Sequence, residues 1–166
     1  MKPGARVAAV IELLEELDAL WQQGRRIPAD VALARYHRKR RFIGSKDRRE
    51  ISRQVYGVLR HEAQLAWWLE RTGYDRSPRG MSLGGLVFLD SLSLSELGGL
   101  FDGDVYCPIP LSRREHRSSD GIMHSTPEIG TLWSPRCTSL IEGYPDRISF
   151  RFGRLLTIFG FPAATI

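Results

Sequence analysis

Two stretches with apolar residues at helical spacing most constrain what this chain can fold into. In the first, Val7, Val10, Ile11, Leu14, Leu17 and Trp21 share a face, and Glu12, Glu15, Glu16 and Asp18 take other positions. In the second, Ile51, Val55, Val58, Leu59, Leu65, Ala66 and Leu69 form one stripe, interrupted only by Glu62. At 100° per residue, Lys46, Arg49, Arg53 and Arg60 gather on roughly the opposite side. A stripe of this kind must be buried against another element, and two long ones with no strand pattern between them specify helix packed on helix. The expected fold class is all-α, a helical bundle over about residues 3–115.

Local signals place the elements. The first helix is expected over Pro3–Gln23, with Gly24 as its stop. Pro28 suits the first turn of a second helix carrying Val31, Ala32, Ala34 and Tyr36, and Gly44 breaks it. Asp47 and Glu50 fit a capping box, so the third helix should start near Asp47 and run unbroken through Leu69. Of Trp67 and Trp68 at its end, one should pack and the other stay partly exposed. Thr72–Gly80 reads as a connection. A short helix over Leu83–Leu92 follows, weakened by Gly84 and Gly85. Ser93 and Glu96 should cap another that ends at Gly98-Gly99, and FDGDVYCPIPLS should be an ordered loop.

Ser112 and Glu115 form a further capping box, but the composition changes at His116. Of the last 51 residues, 20 are Ser, Thr, Pro or Gly, which sets the expected boundary of the helical part at 115/116. Residues 116–166 are expected to be an irregular tail, with strand-like alternation at Ile148–Phe152 and an apolar run at Leu155–Phe161.

The charge is concentrated. Arg35 to Arg53 holds nine Lys/Arg and two acids, a net +7 in a chain whose total is only +5. A basic block beside an amphipathic helix is the footprint of a phosphate-backbone binder. The candidate RNA-binding residues are Arg38, Lys39, Arg40 and Arg41, consecutive at a helix end, and Lys46, Arg49, Arg53 and Arg60, aligned on one face. A merely solvated basic face is the competing reading.

No catalytic or metal-binding constellation emerges. There is neither GxGxxG nor GxxxxGK[ST]. Cys107 and Cys137 form no CxxC pair, and His37, His61, His116 and His124 do not cluster with them, so two free thiols in a reducing compartment are expected. The acids in the first stretch exclude a signal-peptide core, and no run approaches the roughly 20 apolar residues of a membrane span. The expected location is cytoplasmic.

The segment SKDRREISRQVYGVLRHEAQLAWWL resembles the N-terminal helical domain of bacterial Sun/Fmu (Nop/Sun) RNA cytosine-C5 methyltransferases, and more distantly the antitermination factor NusB. GARVAAVIELLEEL, PADVALARYHRKRRFIGSKDRREISRQVYGVLR and LSLSELGGLFDGDVYCPIPLSRRE, in that order, extend the likeness over residues 3 to 115. The resemblance implies a NusB-like domain that binds RNA, ribosomal RNA in particular. It also implies a separate catalytic domain that binds S-adenosylmethionine and holds the catalytic cysteines. That family's glycine-rich cofactor loop and PC-containing cysteine motif do not occur in this sequence. Catalytic, cofactor-binding and metal-binding residues are therefore all expected to be none. The chain reads as a truncated family member, inactive alone, whose residues 116–166 could be out of the ancestral reading frame. Two other classes stay open: a stand-alone NusB-like factor that binds RNA with a protein partner, and a helical interaction protein that binds no RNA.

Overall fold

The computed structural model describes residues 1–25 and 27–129. Within them lie seven helices and no strand: α1 (Pro3–Gln22), α2 (Ala29–Lys39), α3 (Ser45–Arg60), α4 (Glu62–Arg71), α5 (Pro78–Phe88), α6 (Leu94–Leu100) and α7 (Arg113–Ile129). Residues Met1–Thr126 form one compact unit, and a second begins at Pro127. The expected all-α bundle is present. The alternation at Ile148–Phe152, the apolar run at Leu155–Phe161 and Cys137 lie outside the described residues, as does most of the expected tail.

Helix α1 is the hub, packing against α2, α3, α5 and α6. It can do so because it is apolar on more than one side. Beyond the expected stripe, Ala5, Ala9 and Leu13 are also buried. Its end is a Schellman motif: Gly24 N–H donates to Trp21 O at 3.0 Å and Arg25 N–H to Leu20 O at 2.9 Å. Gly24 sits at φ 76°, which a side chain would strain, so the expected stop is there.

Several boundaries differ from expectation, among them the end of α5 at Phe88, four residues before Leu92, and that of α6 at Leu100, past Gly98-Gly99. Helix α3 starts at Ser45 with Gly44 as its cap, so Asp47 lies inside the first turn and faces Arg6 at 3.7 Å instead of capping. The long third helix is two helices: the chain bends at His61 (φ −104°, ψ 17°), whose Nδ1 lies 2.9 Å from the Gly57 carbonyl. Helix α5 starts five residues earlier than Leu83, because Ser77 caps it through Gly80 N–H at 3.1 Å and Pro78 occupies its first turn. Helix α7 continues past Glu115 to Ile129, and Ser118, Ser119 and Ile122 are buried.

The small residues explain the last of these. Ser118 Oγ lies 2.6 Å from Thr72 Oγ1, and a Cβ on Gly121 would stand 2.9 Å from Thr72 Cγ2. Serine and glycine form the close-approach face of α7, so the apolar period is lost while the helix is kept. Close packing also accounts for Gly85 inside α5, where a Cβ would meet Val58 Cγ2 at 2.9 Å. The capping boxes expected at Ser93/Glu96 and Ser112/Glu115 are formed. Trp68 is buried while Trp67 is partly exposed, edge-on at 4.8 Å.

Candidate nucleic-acid interface

The basic block covers the last turn of α2, the turn at residues 40–44, and α3. Burying Tyr36 and Leu33 against the core sends Arg35, Arg38 and Lys39 outward. Arg38 and Lys39 in that last turn also complement the negative end of the helix dipole. On α3, burial of Ile51, Val55 and Val58 leaves Lys46, Arg49, Arg53 and Arg60 on the opposite face, spread over about 21 Å of axis.

Six of the eight candidates are exposed and have no ion-pair partner among the described residues: Arg38, Lys39, Arg41, Lys46, Arg49 and Arg60. The other two are engaged inside the fold. Arg40 pairs with Glu12, and its guanidinium lies 3.9 Å from the centre of the Tyr36 ring. Tyr36 donates to the same carboxylate at 2.9 Å, so the three residues tie α2 to α1. Burial, then the Glu12 bond, raise the Tyr36 hydroxyl above its ordinary pKa.

Arg53 grips two carboxylates. Its Nη1 and Nη2 donate to Asp90 at 2.7 and 2.9 Å, and Nη2 also donates to Glu50 at 2.7 Å. The Asp90 bond first, then Glu50, raise its pKa further, and Arg53 in turn holds the Glu50 carboxyl below its usual range. The clamp joins α3 to the end of α5. A cleft of about 270 Å³ beside it is lined by Arg6, Glu50, Arg53 and Asp90 among others, and these charges are satisfied by one another and by Asp47.

Arg48 shapes the turn itself. Its Nε donates to Ile43 O at 2.8 Å and its Nη2 to Arg41 O at 3.1 Å. Ile43 is buried, whereas Phe42 is 82% exposed, in the middle of the cations. The charge count passed over Phe42; its signal was an aromatic inside a run of Lys/Arg. Burial, then the Arg48 charge, depress the pKa of His37, which keeps it out of the positive cluster at neutral pH.

No group of three His, Cys, Asp or Glu among the described residues could hold a metal. Cys107 is a free thiol whose Sγ would stand 2.8 Å from a Cβ on Gly4, and burial, then Asp102, push its pKa up, away from a nucleophile. Gly84 and Gly85 lie inside packed α5, against Leu65 and Val58, and offer no cradle that fits S-adenosylmethionine. No helix among the described residues is long and apolar enough to cross a membrane. No protein-family model, curated protein or solved structure matches this chain.

Proposed function

We propose that the helical unit binds RNA through its α2 end and α3 face, as the RNA-binding part of an S-adenosylmethionine-dependent rRNA cytosine-C5 methyltransferase system in the cytoplasm. The observation that carries the binding is the set of six exposed cations without ion-pair partners. An ordinary solvated surface intersperses both signs, whereas here the two nearby acids are engaged by Arg6 and Arg53. Lys and Arg left free in this way supply sequence-independent affinity by releasing counterions from phosphates. The family context rests on the sequence resemblance, and methyl transfer in this reading is carried outside the helical unit.

The test is a salt titration of affinity for a ribosomal RNA fragment. The double variant Lys46→Ala/Arg49→Ala is expected to reduce the slope of log K against log salt by about 1 to 2 units. An unchanged slope removes both residues from the interface.

A second reading, an RNA-binding factor that acts with a protein partner, draws support from the connection between α6 and α7. Val105, Tyr106 and Ile109 are exposed there. They are held in place, because Gly103 N–H donates to Pro108 O at 3.0 Å, Cys107 N–H to Asp104 O at 2.8 Å, and Arg79 Nη2 to Ile109 O at 2.8 Å. Tyr106 sits at φ 68°, a costly conformation for a bulky residue. Apolar side chains exposed together, unlike ones scattered singly, are the kind of surface that marks a contact site.

A further inference from the structure

Within the basic block, Phe42 is the one large apolar side chain turned to solvent, and its backbone is fixed from both sides. Arg48 bonds the carbonyls of Arg41 and Ile43, Ile43 N–H donates to Arg40 O at 3.1 Å, and the Ile43 side chain is buried. The turn therefore holds Phe42 outward, beside exposed, unpaired Arg41 and between Lys39 and Lys46 along the chain. A ring displayed among free cations matches the two requirements of a single strand, a π-face for a base and charge for its phosphates. A paired duplex cannot use the ring, because its bases are already stacked and their edges lie within grooves.

We propose that Phe42 is a stacking residue that takes an unpaired base of single-stranded RNA, with the flanking phosphates on Arg41, Lys39 and Lys46. The proposal rests on the RNA-binding reading above and adds the strandedness of the target. Stacking on one aromatic side chain is worth about 1 to 3 kcal/mol per base, which converts to a roughly 5- to 150-fold change in affinity. Because the ring is uncharged, that loss should appear without any change in salt slope.

The experiment compares the full chain with Phe42→Ala, Phe42→Leu and Phe42→Trp, binding an unstructured oligoribonucleotide or a blunt RNA duplex of equal length across a salt series. Thermal melts confirm that each variant is folded. Expected are weaker single-strand binding by roughly 5- to 150-fold for Phe42→Ala and Phe42→Leu, near-native binding for Phe42→Trp, and an unchanged slope throughout. Duplex binding should be the same for all four proteins. Leucine separates the π-face from mere apolar contact, so native affinity in Phe42→Leu overturns the proposal. Native affinity in Phe42→Ala overturns it too, and leaves RNA binding standing if Lys46→Ala still lowers the slope. Equal losses on duplex and single strand also overturn it. Native RNA affinity together with loss of a wild-type self-association in sedimentation assigns Phe42 to a second copy of this chain instead. The absence of salt-dependent binding to either RNA removes both readings.

Discussion

Arg53 and Arg49 lie four positions apart on the same face of α3, and local spacing separates them only by Glu50, three positions before Arg53. Their surroundings separate them further. Arg49 is exposed without an ion-pair partner, while Arg53 bridges Glu50 and Asp90. Removing the Arg53 guanidinium leaves two carboxylates facing each other at the α3–α5 contact. Because Arg53 is half exposed, solvent screens the loss, and Arg53→Ala is expected to destabilise the fold by about 1 kcal/mol. Urea denaturation measures this. The same variant should change the salt slope of RNA binding less than Arg49→Ala does; an equal or larger fall would show that Arg53 leaves its clamp to contact phosphate. The partners that decide the matter lie 37 positions ahead for Arg53 and 28 behind for Arg40. No local spacing rule reaches that far, so the eight cations could be found in the sequence but not sorted.

At the scale of elements, what could be read depended on which force shaped each boundary. Stripes of large apolar residues locate α1 and α3, and reciprocal side-chain bonds locate the starts of α6 and α7, because those signals are local. The bend at His61 is not, since Val58 and Leu65 on either side of it are both core residues and keep the helical period. Nor is the course of α7, where Ser118 and Gly121 pack as closely as apolar residues elsewhere but have no hydropathy to betray them. Ile122 is the one large apolar side chain fully buried from this helix among the described residues. Truncating it should leave a cavity, so Ile122→Ala is expected to cost about 2 to 4 kcal/mol. An unfolding midpoint identical to wild type would mean that α7 contributes nothing beyond its first turn. A clear loss would place residues beyond the compositional break within the cooperative unit.

For the molecule as a whole, the start of α7 is fastened to the bundle by Arg114, whose Nε and Nη2 donate to Gly73 O at 2.9 and 2.6 Å, and by one buried carboxylate. Glu115 accepts from Arg79 Nε at 2.5 Å, Tyr74 Oη at 2.8 Å and Ser112 N–H at 2.7 Å, so it joins α7 to α5 and to the segment after α4. Burial alone would raise its pKa, but the bonds from Arg79, Ser112 and Tyr74 outweigh that and hold it down at about 2. The carboxyl is thus easier to ionise in the folded chain than in the unfolded one, where its ordinary value is 4.5. Its stabilisation is fully present above pH 4.5 and is lost as the pH falls from there towards 2. With the side chain only 5% exposed, the shift corresponds to something on the order of 3 kcal/mol. Glu115→Gln removes the charge and leaves Arg79 unpaired. The variant is therefore expected to be less stable near neutrality and to show a shallower decline between those two pH values, the remainder belonging to other carboxyls held low, such as Glu50. Chemical denaturation at a series of acid pH values compares the two. Parallel curves would show that Glu115 titrates as it does in the unfolded chain and that the fastening of α7 lies elsewhere. The RNA-binding face should be indifferent to this change, because Glu115 bonds none of its cations. Binding that weakens in Glu115→Gln while the fold remains intact would therefore require a link between α7 and α3 that these contacts do not provide.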